Sequence, residues 1–324
     1  MNKLLSLLIL GLFILSKGVA QDLHFSNYAA SPHNLSPAKV GDFYGSYKVG
    51  AIIRDQFSSF FNSGYRTQGV FAEMNLPYAF KPHHWTSVGV FFDNDSAGDL
   101  GLGSNRVGFN VSYHLALDDD YRQVLSAGFQ YSNISRQFDP SGAQGDLDDV
   151  VLMRYMTSFS DINFGLSYKS RLNKKTIFEI GTGLYHMKVS TKDLATRGSE
   201  DLIPLRINAY TALSVRTSKT ISITPRILYS NAREANNLAA QFIGTFWLKE
   251  SEIDFGLGYR FGDAIQFLVG YHIKNWTITG AFDMTVSSAS AYNDRTGAFE
   301  LGAYTILSKH PKAKVELVEI CPRL

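Results

Sequence analysis

WTITGAFDMTV, residues 276–286, is the stretch that decides the fold. Trp276, Ile278, Gly280, Phe282, Met284 and Val286 fall on one side of an extended chain; Thr277, Thr279, Ala281, Asp283 and Thr285 fall on the other. A period of two held over this length is a strand, because a helix of the same residues would scatter the apolar side chains all round. The alternation recurs at Val107, Phe109, Val111, Tyr113, Leu115 and Leu117 against Gly108, Asn110, Ser112, His114 and Ala116. It recurs again at Ile253, Phe255, Leu257, Tyr259 and Phe261, and at Ile265, Phe267, Val269, Tyr271 and Ile273.

Working outward, about fourteen such segments follow one another, near 44–54, 65–75, 85–93, 106–117, 122–134, 160–170, 176–187, 205–217, 219–230, 237–248, 251–261, 263–273, 275–287 and 297–307. Each is long enough for a tilted strand to cross a bilayer, which takes ~9–11 residues. An even number of antiparallel strands closes into a barrel and leaves no backbone edge in lipid. The expected fold is therefore all-β, a transmembrane antiparallel barrel with short periplasmic turns and long extracellular loops. A soluble sandwich or propeller also alternates, but the long uniform strands and the many Phe and Tyr residues near strand ends, as in an interfacial girdle, favour the membrane barrel. Phe109, Phe255, Phe267, Ile278 and Phe282 should face lipid, and Asn110, Asp254, Gln266 and Asp283 the lumen. Lys169, Glu179, Arg206, Arg216, Arg260 and Glu300 also fall on polar faces and should line the lumen as paired wall charges.

The connections alternate in length. Residues 118–121, 173–174, 218, 249–250 and 274–275 are tight polar turns, whereas 56–64, 94–105, 135–159, 188–204 and 288–296 are longer loops. Short turns in the periplasm and long loops outside is the outer-membrane arrangement. The connection at 75–84 is long for the periplasmic side and Gly262 short for the outer side. An even strand count places both termini in the periplasm.

The chain opens with Lys3, an apolar run at 4–15 and Gly18-Val19-Ala20. That run is too short to span a bilayer and reads as a signal peptide over 1–20, with the mature chain beginning at Gln21. The remaining divisions are an N-terminal periplasmic or lumenal segment at 21–43, the barrel at 44–307 and a periplasmic tail at 308–324. The 21–42 stretch is rich in Pro, Asn and Ser, and is longer than a lead-in requires; it could dock a periplasmic component or fold up into the lumen.

Other classes find little support. A net charge of +2 gives no argument for a nucleic-acid partner, and a single cysteine, Cys321, excludes a disulfide scaffold. Mean hydropathy is near zero, which is uninformative because a barrel strand averages its two faces. Neither G-x-S-x-G nor H-E-x-x-H occurs, so the serine-hydrolase and zincin readings have no anchor. Asp93-Asn94-Asp95 with Gly98 begins like a calcium loop, but the twelfth position is Ser104 rather than Glu, and a solvated outer loop is the better account. Gly98, Gly101 and Gly103 have no helix N-terminus after them to bind an anion. His83-His84 in the 75–84 connection reads as ordinary polar surface. No enzyme, cofactor or metal site is expected.

A set of short motifs runs in order along the chain. Gln21-Asp22 and Phe25-Ser26 are followed by Asn34-Leu35-Ser36-Pro37-Ala38 and Gly41, then Arg54-Asp55-Gln56-Phe57. Asp93, Asp95, Gly98, Leu100 and Gly101 come next; after them Gly258-Tyr259-Arg260 with Asp263-Ala264, Glu300, and finally Cys321-Pro322. This ordered set resembles the PorP/SprF family of the Bacteroidetes type IX secretion system. Ser36 stands where that family usually has Asn, and Leu324 where an aromatic is common. The resemblance implies a non-enzymatic outer-membrane barrel of the secretion and gliding machinery. Its partners would be lipid, other secretion components, and a secreted cargo or adhesin with a C-terminal sorting domain. The alternative is a passive pore or solute transporter, since a barrel of this size encloses a lumen too wide for a few side chains to fill.

Overall fold

A computed structural model describes residues 24–56, 64–81, 84–97, 102–138, 155–189, 204–232, 235–291 and 296–308. Fourteen strands follow in sequence: β1 (Tyr47–Gln56), β2 (Tyr65–Lys81), β3 (His84–Ala97), β4 (Leu102–Ala116), β5 (Gln123–Phe138), β6 (Tyr155–Asn173) and β7 (Thr176–Val189) come first. Then come β8 (Arg206–Arg216), β9 (Ile221–Ala232), β10 (Ala235–Trp247), β11 (Ser251–Arg260), β12 (Ala264–Ile273), β13 (Trp276–Thr285) and β14 (Thr296–Leu307). Each pairs antiparallel with its sequence neighbours, and β1 pairs with β14 from Tyr47↔Leu307 to Gln56↔Ala298, closing the barrel. Closure is the physical requirement: without water in the bilayer, each strand N–H and C=O needs a partner within the protein.

Facing follows the alternation. Phe109, Phe255, Phe267, Ile278 and Phe282 are exposed on the outer wall, while Asn110, Asp254, Gln266 and Asp283 are buried inside. Lys169, Glu179, Arg206, Arg260 and Glu300 are likewise buried in the lumen. Arg216 shares their parity, but it sits at the last residue of β8 and is exposed. There it lies over the Trp247 ring at 5.0 Å and donates to Lys219 O.

Several ladders run on into stretches read as connections. Of the stretch expected to be a loop at 94–105, residues 94–97 and 102–105 are paired strand, with Asn94↔Asn105 and Asp95↔Ser104 in register. The 75–84 connection is strand on both sides, Leu76↔Thr86 and Lys81↔His84 included. β5 and β6 continue into 135–159 through Ser135↔Ser158 and Gln137↔Met156. Beyond the bilayer both faces of a hairpin meet water, so the ladder continues while the apolar alternation that marks it fades. The wall is thus uneven: β6 has 19 residues and β11 only 10. Asp146, Asp148 and Asp149, Gly98, His83, and the C-terminal Cys321 and Pro322 lie outside the described residues.

β1 begins at Tyr47 rather than near 44, because the chain before it belongs to the interior. Residues 24–46 fill the lumen as an irregular plug. It is built of 3-10 turns at Tyr28–Ala30 and Pro37–Lys39 around one helical turn, α1 (Pro32–Leu35). Prolines at the starts of α1 and of the second 3-10 turn suit positions whose N–H has no helical partner. The even strand count does bring residues 46 and 307 together, with Ser46 N donating to Leu307 O at 2.9 Å. The N-terminal side nevertheless climbs the lumen, so His24 and Phe25 line an outer cavity with Phe261, Gly262 and Asp263. Of the two places expected for the 21–43 segment, its described residues, from His24 on, take the lumenal one.

Candidate functional site

The interior of the barrel is where the motif residues converge. Near the outer end, the Ser26 and Asn27 amides donate to the two Glu300 oxygens at 2.6 and 2.9 Å, and Ser26 Oγ donates to Asp283 Oδ2 at 2.7 Å. Arg54, opposite Glu300 in the β1–β14 register, forms an ion pair with it and reaches Asp283 Oδ2 at 3.2 Å. Arg260 Nη2 approaches the same Asp283 oxygen at 2.9 Å, and its Nε engages Asp263. Gln56 accepts from Arg54 Nη2 at 3.3 Å. Eight residues thus make one network, and in its buried part Arg54 and Arg260 balance Asp283 and Glu300, which is the condition for holding charge away from water.

A second network anchors α1. Asp93 is buried in β3 rather than exposed in an outer loop; it pairs with Arg106 Nη2 at 2.6 Å and lies 3.2 Å from His33 Nε2. Arg106 also donates to Asn34 Oδ1, and the His33 ring stacks on Phe91 at 4.4 Å between centroids. Asp95 accepts from Thr67 Oγ1 at 2.6 Å. The calcium-like spacing of this stretch is simply two carboxylates on the same strand face. Among the described residues no group of three or more His, Cys, Asp or Glu is placed to hold a metal ion.

At the lower end Lys39 pairs with Asp42 and with Glu179, and Lys169 pairs with Asp42. Burial disfavours the charge on Asp42, but Lys169 and Lys39 beside it hold the carboxyl well below the usual carboxylate range. The Gly41 amide donates to Glu73 Oε2 at 2.8 Å. Gly41 has φ +81 and its Cα lies against Ser87, so both backbone and space call for glycine there.

Between these anchors the wall makes room. Gly128, Gly165 and Gly183 sit side by side on β5, β6 and β7, paired Gly128↔Gly165 and Gly165↔Gly183. A Cβ on any of them would come closer than 3.0 Å to the plug: to Pro37 from Gly128, to Ser36 and Ala38 from Gly165, and to Leu35 from Gly183. Ser36 settles there by donating to Thr182 O at 2.8 Å. A bulge between Phe164 and Ile162 on β6 and their partners on β7 leaves Tyr185 and His186 both buried, as a bulge re-aims side chains. Tyr185 OH donates to His33 O at 3.0 Å, and His186 Nδ1 lies 3.0 Å from Asp161.

The motif residues divide accordingly. Phe25, Ser26, Pro37, Gly41, Arg54, Asp93, Arg260 and Glu300 belong to the plug or its walls. Gly258 leaves space for the Gln241–Gln266 hydrogen bond, while Tyr259 faces outward and meets Phe261 edge-on at 5.0 Å. Sequence reading missed Arg106, Asn208, Gln241, Tyr185 and the glycine seat. The only signal for the seat was glycine at polar-face positions, which acquires meaning once strand register is known.

Cavities remain on both sides of the plug. The outer one, about 370 Å³, includes Phe25, Asn208, Arg260 and Asn236; the inner one, about 200 Å³, includes Lys48, Glu179, Tyr210 and Trp276.

No curated protein sequence matches this chain. Among solved structures, a FadL homologue of Pseudomonas aeruginosa is similar over 86% of this chain and 93% of its own, with a TM-score of 0.51 at 10% identity. The CymD monoaromatic hydrocarbon channel is similar over 87% and 94%, with a TM-score of 0.51 at 9% identity. At such identities the likeness concerns the fold, that of outer-membrane barrels. Residues 18–303 match the family described as type IX secretion system membrane protein PorP/SprF, and the chain belongs to that family.

Proposed function

We propose that this outer-membrane barrel serves type IX secretion as a partner for the export or surface attachment of specific cargo carrying a C-terminal sorting domain, with no solute traffic of its own. The observation that carries the reading is the filled lumen. Residues 24–46 are bonded to walls on every side, from Glu300 on β14 and Glu73 on β2 to Asn208 on β8 and Gln241 on β10. A barrel closed in this way presents surfaces rather than a passage. The contact surfaces in this reading are the long outer connections, above all residues 135–159 with Asp146, Asp148 and Asp149, and the periplasmic segments at each end, since loops on a rigid scaffold commonly carry binding. Family and fold are those of secretion or transport barrels, not of an enzyme class.

Deletion of the gene should remove one or a few proteins sharing a C-terminal domain from the cell surface while general secretion continues. The cavities above and below the plug favour a second reading, a gated channel for small solutes. If deletion lowers solute permeability and leaves every surface protein in place, that second reading replaces the first.

A further inference from the structure

We propose that the lumen is a binding site for polypeptide main chain, and that residues 24–46 are its resident, exchangeable occupant. The wall makes many of its bonds to this segment through backbone atoms, beside side-chain contacts such as Ser26 with Asp283, His33 with Asp93 and Lys39 with Glu179. Glu300 and Glu73 accept from the Ser26, Asn27 and Gly41 amides. Gln241 donates to Ser26 O at 2.7 Å, Gln130 to His33 O at 3.2 Å, and Asn208 to both Asn34 O and Leu35 O at 3.1 Å. Ser112 donates to Val40 O. The three-glycine seat receives the Leu35–Ala38 stretch where side chains on the wall would exclude it. Carboxylates for amides, carboxamides for carbonyls and a side-chain-free floor form a surface that binds main chain, while the wall charges select side chains at Ser26, His33, Asn34, Lys39 and Asp42.

Three further observations point to exchange. The segment has only three short turns of its own, so its conformation is imposed by the wall. The wall also has more polar capacity than this occupant uses: Glu73 Oε1, Asn110 Nδ2 and Asp283 Oδ1 are buried with no hydrogen-bond partner. Buried polar groups in a fully matched interface are normally satisfied. The cavities on either side give an incoming chain room at both ends of the seat. The occupant that fits is a short, irregular polypeptide segment with proline and small polar residues, supplied in trans. This inference does not depend on which cargo or machinery component the barrel serves.

The test uses the full-length barrel with a site-specific protease sequence inserted at Gly45, near the end of the plug and just after the residues that the probe peptide reproduces. After cleavage in detergent, a fluorescent synthetic peptide of residues 24–43 should bind saturably and release the resident segment. The same peptide N-methylated at Ser26 and Gly41 keeps its side chains but loses two donors to carboxylates, and should bind about tenfold more weakly or worse. Retention of the resident against any excess of peptide overturns the proposal, as does equal binding of the methylated peptide. A second measurement needs no insertion. In the unmodified protein, the Ser26, Asn27 and Gly41 amides should exchange hydrogen as a group, faster than the strand amides of β5 to β7. If they exchange only together with the wall, the segment is part of the barrel's core and the proposal falls.

Discussion

Arg54 spans two carboxylates, Glu300 and Asp283, with its side chain 3% exposed. Removing one member of a buried ionic network leaves the others uncompensated and typically costs about 3–5 kcal/mol. Arg54→Leu should lower the denaturant midpoint accordingly and expose the Ser26 and Asn27 amides to exchange, whereas Arg66→Leu, whose pairing with Asp55 is largely in water, should change little. Phe267 argues the lipid side of the same wall. Phe267→Arg should cost about 2–4 kcal/mol near the midplane, read as lost folding efficiency in bilayers. Gln266 would be a tolerant control in an open lumen. In this barrel it is buried and bonded to Gln241, so Gln266→Arg should also destabilise, through overpacking.

At the level of elements, the glycine seat on β5, β6 and β7 separates plug from wall. Gly165→Ala puts a methyl against Ser36 and Ala38, while alanine suits a strand at least as well as glycine does. The variant should keep its barrel, with unchanged strand content, yet show faster exchange at Leu35–Ala38 and raised conductance in planar bilayers. Gly244→Ala is the matched control, since nothing lies within 3.4 Å of the added methyl, and it should behave as the parent. Had Gly165→Ala left plug exchange unchanged, the seat would carry no load. The tall β5–β6 ribbon makes a different point about elements: its pairing persists past the membrane because hydrogen bonding, unlike apolar alternation, does not need lipid.

For the whole molecule, the lower end of the plug responds to acid. The folded Asp42 carboxyl is depressed below its ordinary value. Such a group contributes stability above its unfolded value, about 4, and loses that contribution as pH falls through the folded value. The Asp42 contribution to plug protection should therefore hold from neutral pH to about 4 and decline only in stronger acid. Asp42→Asn should weaken protection at neutral pH, leaving Lys39 and Lys169 short of a counter-charge, and should flatten the acid limb. Hydrogen exchange at the Asp42 amide, which donates to Lys39 O, followed from pH 7 into strong acid and compared between parent and Asp42→Asn after correction for the intrinsic rate, reads both effects.

The amino-acid sequence by itself determined the wall. A period of two, repeated in segments of membrane-crossing length, assigns each residue to lipid or lumen, because side-chain direction in a strand is set by position alone. That is why the facing of Phe267 and Asp283, and the fourteen strands and their order, were legible in the sequence. The tertiary structure decided what lies inside. Asp93 read as a loop acid because its partners, Arg106 and His33, are 13 and 60 positions away, beyond any local pattern. Residues 21–43 allowed either a periplasmic or a lumenal place, since an irregular Pro- and Ser-rich segment carries no periodicity to choose between them. The course of its described residues up the lumen depends on long-range matches, Glu300 to Ser26 and Gly128 to Pro37, that exist only once the barrel has closed and set its register.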